Sequence, residues 1–316
     1  MSPHPPPPPE AVPPSPELVP LRSLKRRWPA IVTAVLTLGM MIGLANELLD
    51  HGARGLTSAV PTAPLFYVFF LVSYFALPIS DFVVYRRLWG IPASAFGPLN
   101  RKRIANDVLL GYTGDAYFYA WARAKLKMVA APFGAVKDAT IVSGIAGNVA
   151  TILMSIVALP LGWELISPAT RSAMLWSLSI PLAVSVLLLA FSRRVFSLPR
   201  LELWRIFVID TVRLVVSNAA LGIAWAYAMP SVSMGMWLFL VAARLLVSRL
   251  PLVPNKDLLF ANFAILVIGQ DATLSNLIAF SAASTLLLHV LIIVGFGLVD
   301  GVERMKEWRR SSPRTH

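Results

Sequence analysis

The sequence predicts an all-α, polytopic transmembrane helical bundle of about eight membrane segments, with two interrupted or re-entrant elements. Composition, the spacing of apolar runs and the placement of Lys and Arg carry that prediction. Of 316 residues, 57% are hydrophobic and 14% charged, and the mean hydropathy is +0.69. That balance exceeds what a water-soluble domain carries. A helix needs about 20 apolar residues to cross the hydrocarbon core, so a bundle of this length leaves short loops and no large soluble catalytic domain.

The 28 Lys and Arg outnumber 16 Asp and Glu, for a formal charge of +12. In a soluble protein that excess would suggest nucleic acid. Here the cations flank apolar runs, so topology and anionic headgroups account for them, and no nucleic-acid partner is expected. The chain has no Cys, which excludes disulfides, thiolate nucleophiles and cysteine metal sites.

Residues 1–27 form a Pro-rich tail that ends in the basic cluster Arg22, Lys25, Arg26 and Arg27. Its prolines supply no amide donors, so it reads as a disordered, polyproline-like cytoplasmic segment. A first span, Trp28 to Asn46, follows as an uncleaved signal anchor. Further segments are Ala63 to Val84, Asp138 to Leu159, Ala173 to Phe191, Ile206 to Tyr227, Val232 to Ser248, Asp257 to Gly269 and Asn276 to Val299. The transmembrane domain is thus 28–300, and 301–316 is a basic cytoplasmic tail.

With the N-terminus inside, 24 Lys and Arg fall on one face of the membrane, against Arg54 and Arg171 alone on the other. Only Arg213 and Arg244 lie within spans. This positive-inside imbalance puts both termini in the cytoplasm of an inner (plasma) membrane protein.

Two stretches depart from simple hydropathy. Arg101 to Lys127 mixes apolar and aromatic residues with Asn106, Asp107, Asp115, Gly111 and Gly114. It suits either an amphipathic helix on the inner surface or a helix, a glycine break and a second helix. In Arg249 to Gly269, Pro251 and Pro254 precede Lys256, Asp257 and an apolar run of about a dozen residues, which rises only about 18 Å. Paired discontinuous elements of this kind point to a binding site in transporters, because exposed helix ends hold charge.

The candidate substrate-binding residues follow from that pattern: Asn106, Asp107, Asp115, Arg123, Asp210, Arg213, Arg244, Lys256 and Asp257. Asp210, Arg213, Ser217 and Asn218 share one helical face. Ionisable residues at that depth face the bundle interior or water. Arg213 either offers a donor fork to phosphate or simply pairs with Asp210. Arg123, Arg244 and Lys256 complete a set of cations suited to a phosphate diester or monophosphate. His289 and Asn148, alone within their spans, read as interhelical hydrogen-bond partners. No His cluster has metal-ligand spacing, no cofactor is expected, and no Gly-x-Ser-x-Gly, Walker or HExxH motif is present. Enzyme activity is therefore not expected.

The order Asn106, Leu109, Leu110, Gly111, Gly114, Asp115 and Arg123, with Leu250-Pro251 and Pro254 in the second half, resembles the transmembrane region of the lysylphosphatidylglycerol synthase family. Its flippase-like members are stand-alone multi-span proteins. Asn255, Lys256 and Asp257 replace the glycines of the family's second motif, and Ala261 stands where it has an acid. The resemblance implies a lipid-accessible cavity and movement of an anionic phospholipid or polyprenyl-phosphate lipid between leaflets, without nucleotide hydrolysis. It concerns the membrane region alone and implies no lysyl transfer. A homo-oligomer is compatible with this reading. Two alternatives remain, a non-transporting membrane scaffold or assembly partner and an intramembrane lipid-modifying enzyme.

Overall fold

The computed structural model describes residues 60–109, 112–125, 133–158, 160–161, 196–248 and 272–311, with isolated positions at 172, 179, 183, 186, 256, 257, 259, 260 and 264. The Pro-rich tail, the span at 28–46, most of the segments at 173–191 and 257–269, and the motif residues Leu110, Gly111, Leu250, Pro251, Pro254 and Asn255 lie outside the described residues. What is described is all helical, with no strand among the described residues.

The chain runs through α1 (Pro64–Trp89), a 3-10 turn (Ala93–Ala95), α2 (Phe96–Val108), α3 (Thr113–Lys125), α4 (Phe133–Ala158), α5 (Arg200–Ala228), α6 (Met234–Ser248) and α7 (Ala272–Ser311). Four of these contain stretches long and apolar enough to cross a membrane: Pro64–Trp89, Gly134–Ala158, Arg200–Ala228 and Asn276–Val299, of 26, 25, 29 and 24 residues. At about 1.5 Å per residue each exceeds a hydrocarbon core of about 30 Å. Their outer faces are apolar. Val68, Leu71, Val72, Ile79 and Val83 of α1, Leu153, Ile156 and Val157 of α4, Val212 and Val215 of α5, and Leu291 and Leu298 of α7 are all exposed. A water-soluble bundle turns such residues inward, so this pattern suggests a membrane-embedded protein.

Sequence explains where the elements begin and end. Pro64 opens α1, where its missing amide costs nothing. Gly90 closes the helix at φ +62°, donating its amide to the Arg86 carbonyl at 2.8 Å, with Arg86 and Arg87 in the last turn beside the negative helix end. The segment before α5 is held by the fully buried carboxylate of Asp138, which accepts the amides of Ser197 and Leu198 at 2.6 and 2.7 Å. The expected Val232–Ser248 segment is present as α6, a shorter apolar helix of 15 residues.

Helices α1 and α5 form the most extensive helix pair, with α4 and α6 against α5. One core cluster joins Phe66 and Phe70 of α1 to Trp225, Trp237, Phe260 and Ile278. Another packs Tyr85, Leu99, Tyr117, Phe118, Val142 and Ile206 around the α2–α3 pair. Ile104 and Val108 of α2 meet Leu286 and Ile293 of α7 in a third. Between Arg101 and Lys127 the described residues therefore form two helices, the end of α2 and all of α3, and Tyr112, just before α3, is exposed.

Candidate functional site

The α2–α3 pair is fastened by a buried polar knot. Lys102 Nζ lies 2.9 Å from Asp81 Oδ2 and 3.3 Å from Asp115 Oδ1, and 5.3 Å from the Tyr85 ring centre. Asn106 spans the turn in both directions: its Nδ2 donates to Asp115 at 3.0 Å, and its Oδ1 accepts the Gly114 amide at 2.7 Å. Thr140 of α4 donates to Asp115 Oδ1, the oxygen that also faces Lys102, at 2.8 Å, while Asn106 holds Oδ2. With two carboxylates on one ammonium, the knot is an internal salt bridge. Gly114 is required by contact: a Cβ there would lie 1.8 Å from the Lys102 carbonyl oxygen.

A second group lies on another face of α2. Arg103, buried on α2, places its guanidinium 3.9 Å over the Tyr74 ring centre. Its Nε donates to Asp107 Oδ2 at 3.3 Å, and its Nη1 donates to the Tyr74 carbonyl. That carbonyl is available because the residue four places on is Pro78, inside α1, which has no amide to return to it. A helix-breaking residue thus creates the acceptor that fixes an arginine from another helix.

Arg103 and Tyr74 line a cleft with Arg244 of α6, Asp257, Ser73, Ser281 and Thr285, walled by Phe70, Leu221, Trp225, Phe260 and Ile278. Arg244 Nη2 lies 2.8 Å from Asp257 Oδ1. Each cleft arginine is therefore neutralised by one carboxylate. The Asp107 side chain remains 41% accessible, while His289, 3.6 Å away through Nε2, is 1% accessible. Among the described residues, neither His289 nitrogen nor the Tyr74 hydroxyl has a hydrogen-bond partner. The cleft encloses about 30 Å³, room for two or three waters at about 10 to 15 Å³ each.

The nine residues singled out from sequence separate into distinct places. Arg244 and Asp257 line the cleft, and Asp107 pairs with the cleft residue Arg103. Asn106 and Asp115 belong to the knot. Asp210 and Arg213 form an ion pair at 3.2 Å, with Ser80 donating to Asp210 at 3.0 Å and Arg213 reaching Ser143 at 3.5 Å. Neither is among the cleft-lining residues. Lys256 donates to the Ser248 carbonyl at the end of α6, 2.8 Å away. Arg123 is exposed in the last turn of α3.

Four participants escaped sequence reasoning. Lys102 and Arg103 sit in the run Arg101–Lys102–Arg103, which resembles topogenic loop charge. The available signal was Asp107 four residues after Arg103, an ion-pair spacing on one helix face. Asp81 lies inside an apolar span, itself a marker of an interior polar site. Tyr74 had no signal of its own beyond its spacing from Pro78.

In comparison with known proteins, no family model, curated protein or solved structure matches the chain. Functional interpretation accordingly rests on the chemistry of these two polar groups.

Proposed function

We propose that this protein moves an anionic, phosphate-bearing lipid or lipid-linked substrate between membrane leaflets, without nucleotide hydrolysis. One observation carries the reading: Arg103 and Arg244, from separate parts of the chain, line one cleft whose remaining walls are largely apolar and aromatic. A phosphate that leaves water needs charge-assisted donors, and guanidinium forks supply them in the geometry of its oxygens. Apolar walls suit the chain that follows the headgroup. The carboxylates of Asp107 and Asp257 compensate the arginines when no anion is bound, which avoids isolated buried charge.

In this reading the chain makes about eight membrane segments with both termini in the cytoplasm of the inner (plasma) membrane. The α2–α3 pair dips into the bundle as a re-entrant element, opposite the segment that begins at Asp257. The 24 to 2 distribution of Lys and Arg supports the orientation. The buried knot between α2 and α3 supports the dip, since polar groups at depth are tolerated when they are paired and covered by protein.

Leaflet exchange of fluorescent phosphatidylglycerol in proteoliposomes, with phosphatidylcholine as control, tests the proposal. Acceleration of the anionic lipid that Arg244→Gln reduces is the expected result. No acceleration for phosphatidylglycerol, phosphatidic acid or a polyprenyl phosphate would instead favour a membrane scaffold.

A further inference from the structure

We infer that anion binding in the cleft is coupled to uptake of one proton by His289, a role that rests on the translocation reading and extends it. His289 lies near the midpoint of the Asn276–Val299 span and is 1% accessible. Among the described residues its two nitrogens have no hydrogen-bond partner. A buried imidazolium without a partner is costly, so the ring is neutral in this arrangement. The groups around it are Tyr74 from α1, with ring centres 5.5 Å apart, and Arg103 and Asp107 from α2. Arg244 of α6 and Asp257 lie beyond them, close enough to act on Asp107.

The decisive feature is one oxygen atom. Asp107 Oδ2 accepts from Arg103 Nε at 3.3 Å and stands 3.6 Å from His289 Nε2, just beyond hydrogen-bond length. An anion entering the cleft competes with Asp107 for Arg103. The displaced carboxylate is then left without its nearest cation, with His289 Nε2 beside it. A small approach to His289 restores a partner, provided the ring has gained a proton. The balance is simple: neutral imidazole takes one proton from the aqueous phase at Nε2, becomes imidazolium and donates to Asp107, while the anion takes the arginine. The cleft then holds one added negative and one added positive charge, so the bound complex enters or crosses the membrane interior with no net charge gained. Linkage is reciprocal, so an anion that brings a proton binds more tightly as pH falls.

The probe is dihexanoyl phosphatidylglycerol, a phosphodiester whose own charge is constant between pH 5 and 9. Binding to the full chain in detergent is measured by calorimetry in buffers of different ionisation enthalpy, which reports protons taken up per bound molecule. Wild type should take up close to one proton, with affinity falling about tenfold per pH unit in the linked range. Asp107→Asn should bind more tightly and without pH dependence, because Arg103 loses its competitor. His289→Gln should bind weakly, also without pH dependence. Monodispersity of both variants on size exclusion establishes that they fold. Binding by wild type without proton uptake, or uptake that persists in His289→Gln, overturns the coupling and leaves the translocation reading standing. No binding by wild type overturns the coupling for this phosphodiester and removes phosphatidylglycerol from the translocation reading.

Discussion

Pro78 and Arg103 are linked through a single atom, the Tyr74 carbonyl oxygen, which the proline leaves without a helical donor and the arginine occupies. The relationship predicts a non-additive pair of substitutions. Arg103→Met leaves the buried carbonyl without a donor and is expected to lower stability. Pro78→Ala in the same chain returns an intrahelical amide to that oxygen and should recover about 1 to 3 kcal/mol, the cost of an unsatisfied buried polar group. Unfolding of the two single variants and the double variant in detergent closes the cycle. If the double variant is no more stable than Arg103→Met alone, the carbonyl is not what Arg103 serves.

Gly114 tests the α2–α3 knot by steric means. A methyl group there meets the Lys102 carbonyl oxygen at 1.8 Å and Asn106 Oδ1 at 2.9 Å, both on helix α2, against which α3 packs. Gly114→Ala should therefore cost about 3 kcal/mol, the upper end of ordinary overpacking, and reduce membrane abundance. Gly144 in α4 is the matched control, because nothing lies within 4 Å of the added carbon. Gly144→Ala should be neutral or stabilising by up to about 1 kcal/mol through helix propensity. Equal effects at the two positions would show that the close approach is not what matters.

The helical fold and four long apolar helices were legible because hydrophobic run length is a one-dimensional property. The break between α2 and α3 was legible for the same reason, since Asn106, Gly114 and Asp115 interrupt an otherwise apolar pattern. Pairing is not one-dimensional. Arg101, Lys102 and Arg103 are adjacent in sequence, yet helical rotation sends Lys102 toward Asp81 and Asp115 and Arg103 toward Tyr74 and Asp107. Counting charge along the chain merges residues that the helix separates by about 100° each. Conversely, Asp210 and Arg213 lay on one predicted face and do pair, but which cavity that face borders depends on partners from α1 and α4 that spacing alone does not identify.

Arg213 is expected to matter for stability more than for substrate. Its partner Asp210 has only 5% side-chain accessibility, and Arg213 itself has 13%. Arg213→Gln strands a buried carboxylate and should cost about 3 to 5 kcal/mol. Asp210→Asn combined with Arg213→Gln removes both charges and should restore abundance together with lipid exchange. Abundance restored without exchange would instead make Arg213 part of the substrate path.

Arg244 offers the sharpest contrast between a cleft cation and a surface one. It lines the cleft and meets Asp257 at 2.8 Å, whereas Arg123 is exposed at the end of α3. Arg244→Gln should slow phosphatidylglycerol exchange by tenfold or more, about 1.4 kcal/mol or above in a charge-assisted contact to phosphate. Arg123→Gln should leave it within twofold. Orientation should not change in either case, because Arg244 lies within a span and Arg123 is one charge among the 24 on the inner face, and reporters at Gly52 and Pro168 should both remain outside the cytoplasm. Loss of Arg244 also frees Asp257, so Arg244→Gln with Asp257→Asn must accompany the single change. If the double variant regains exchange, Arg244 serves only to neutralise Asp257. If its abundance is normal and exchange stays low, the guanidinium is needed by the lipid, and Arg244→Lys should recover only part of the rate because a point charge does not reproduce the fork.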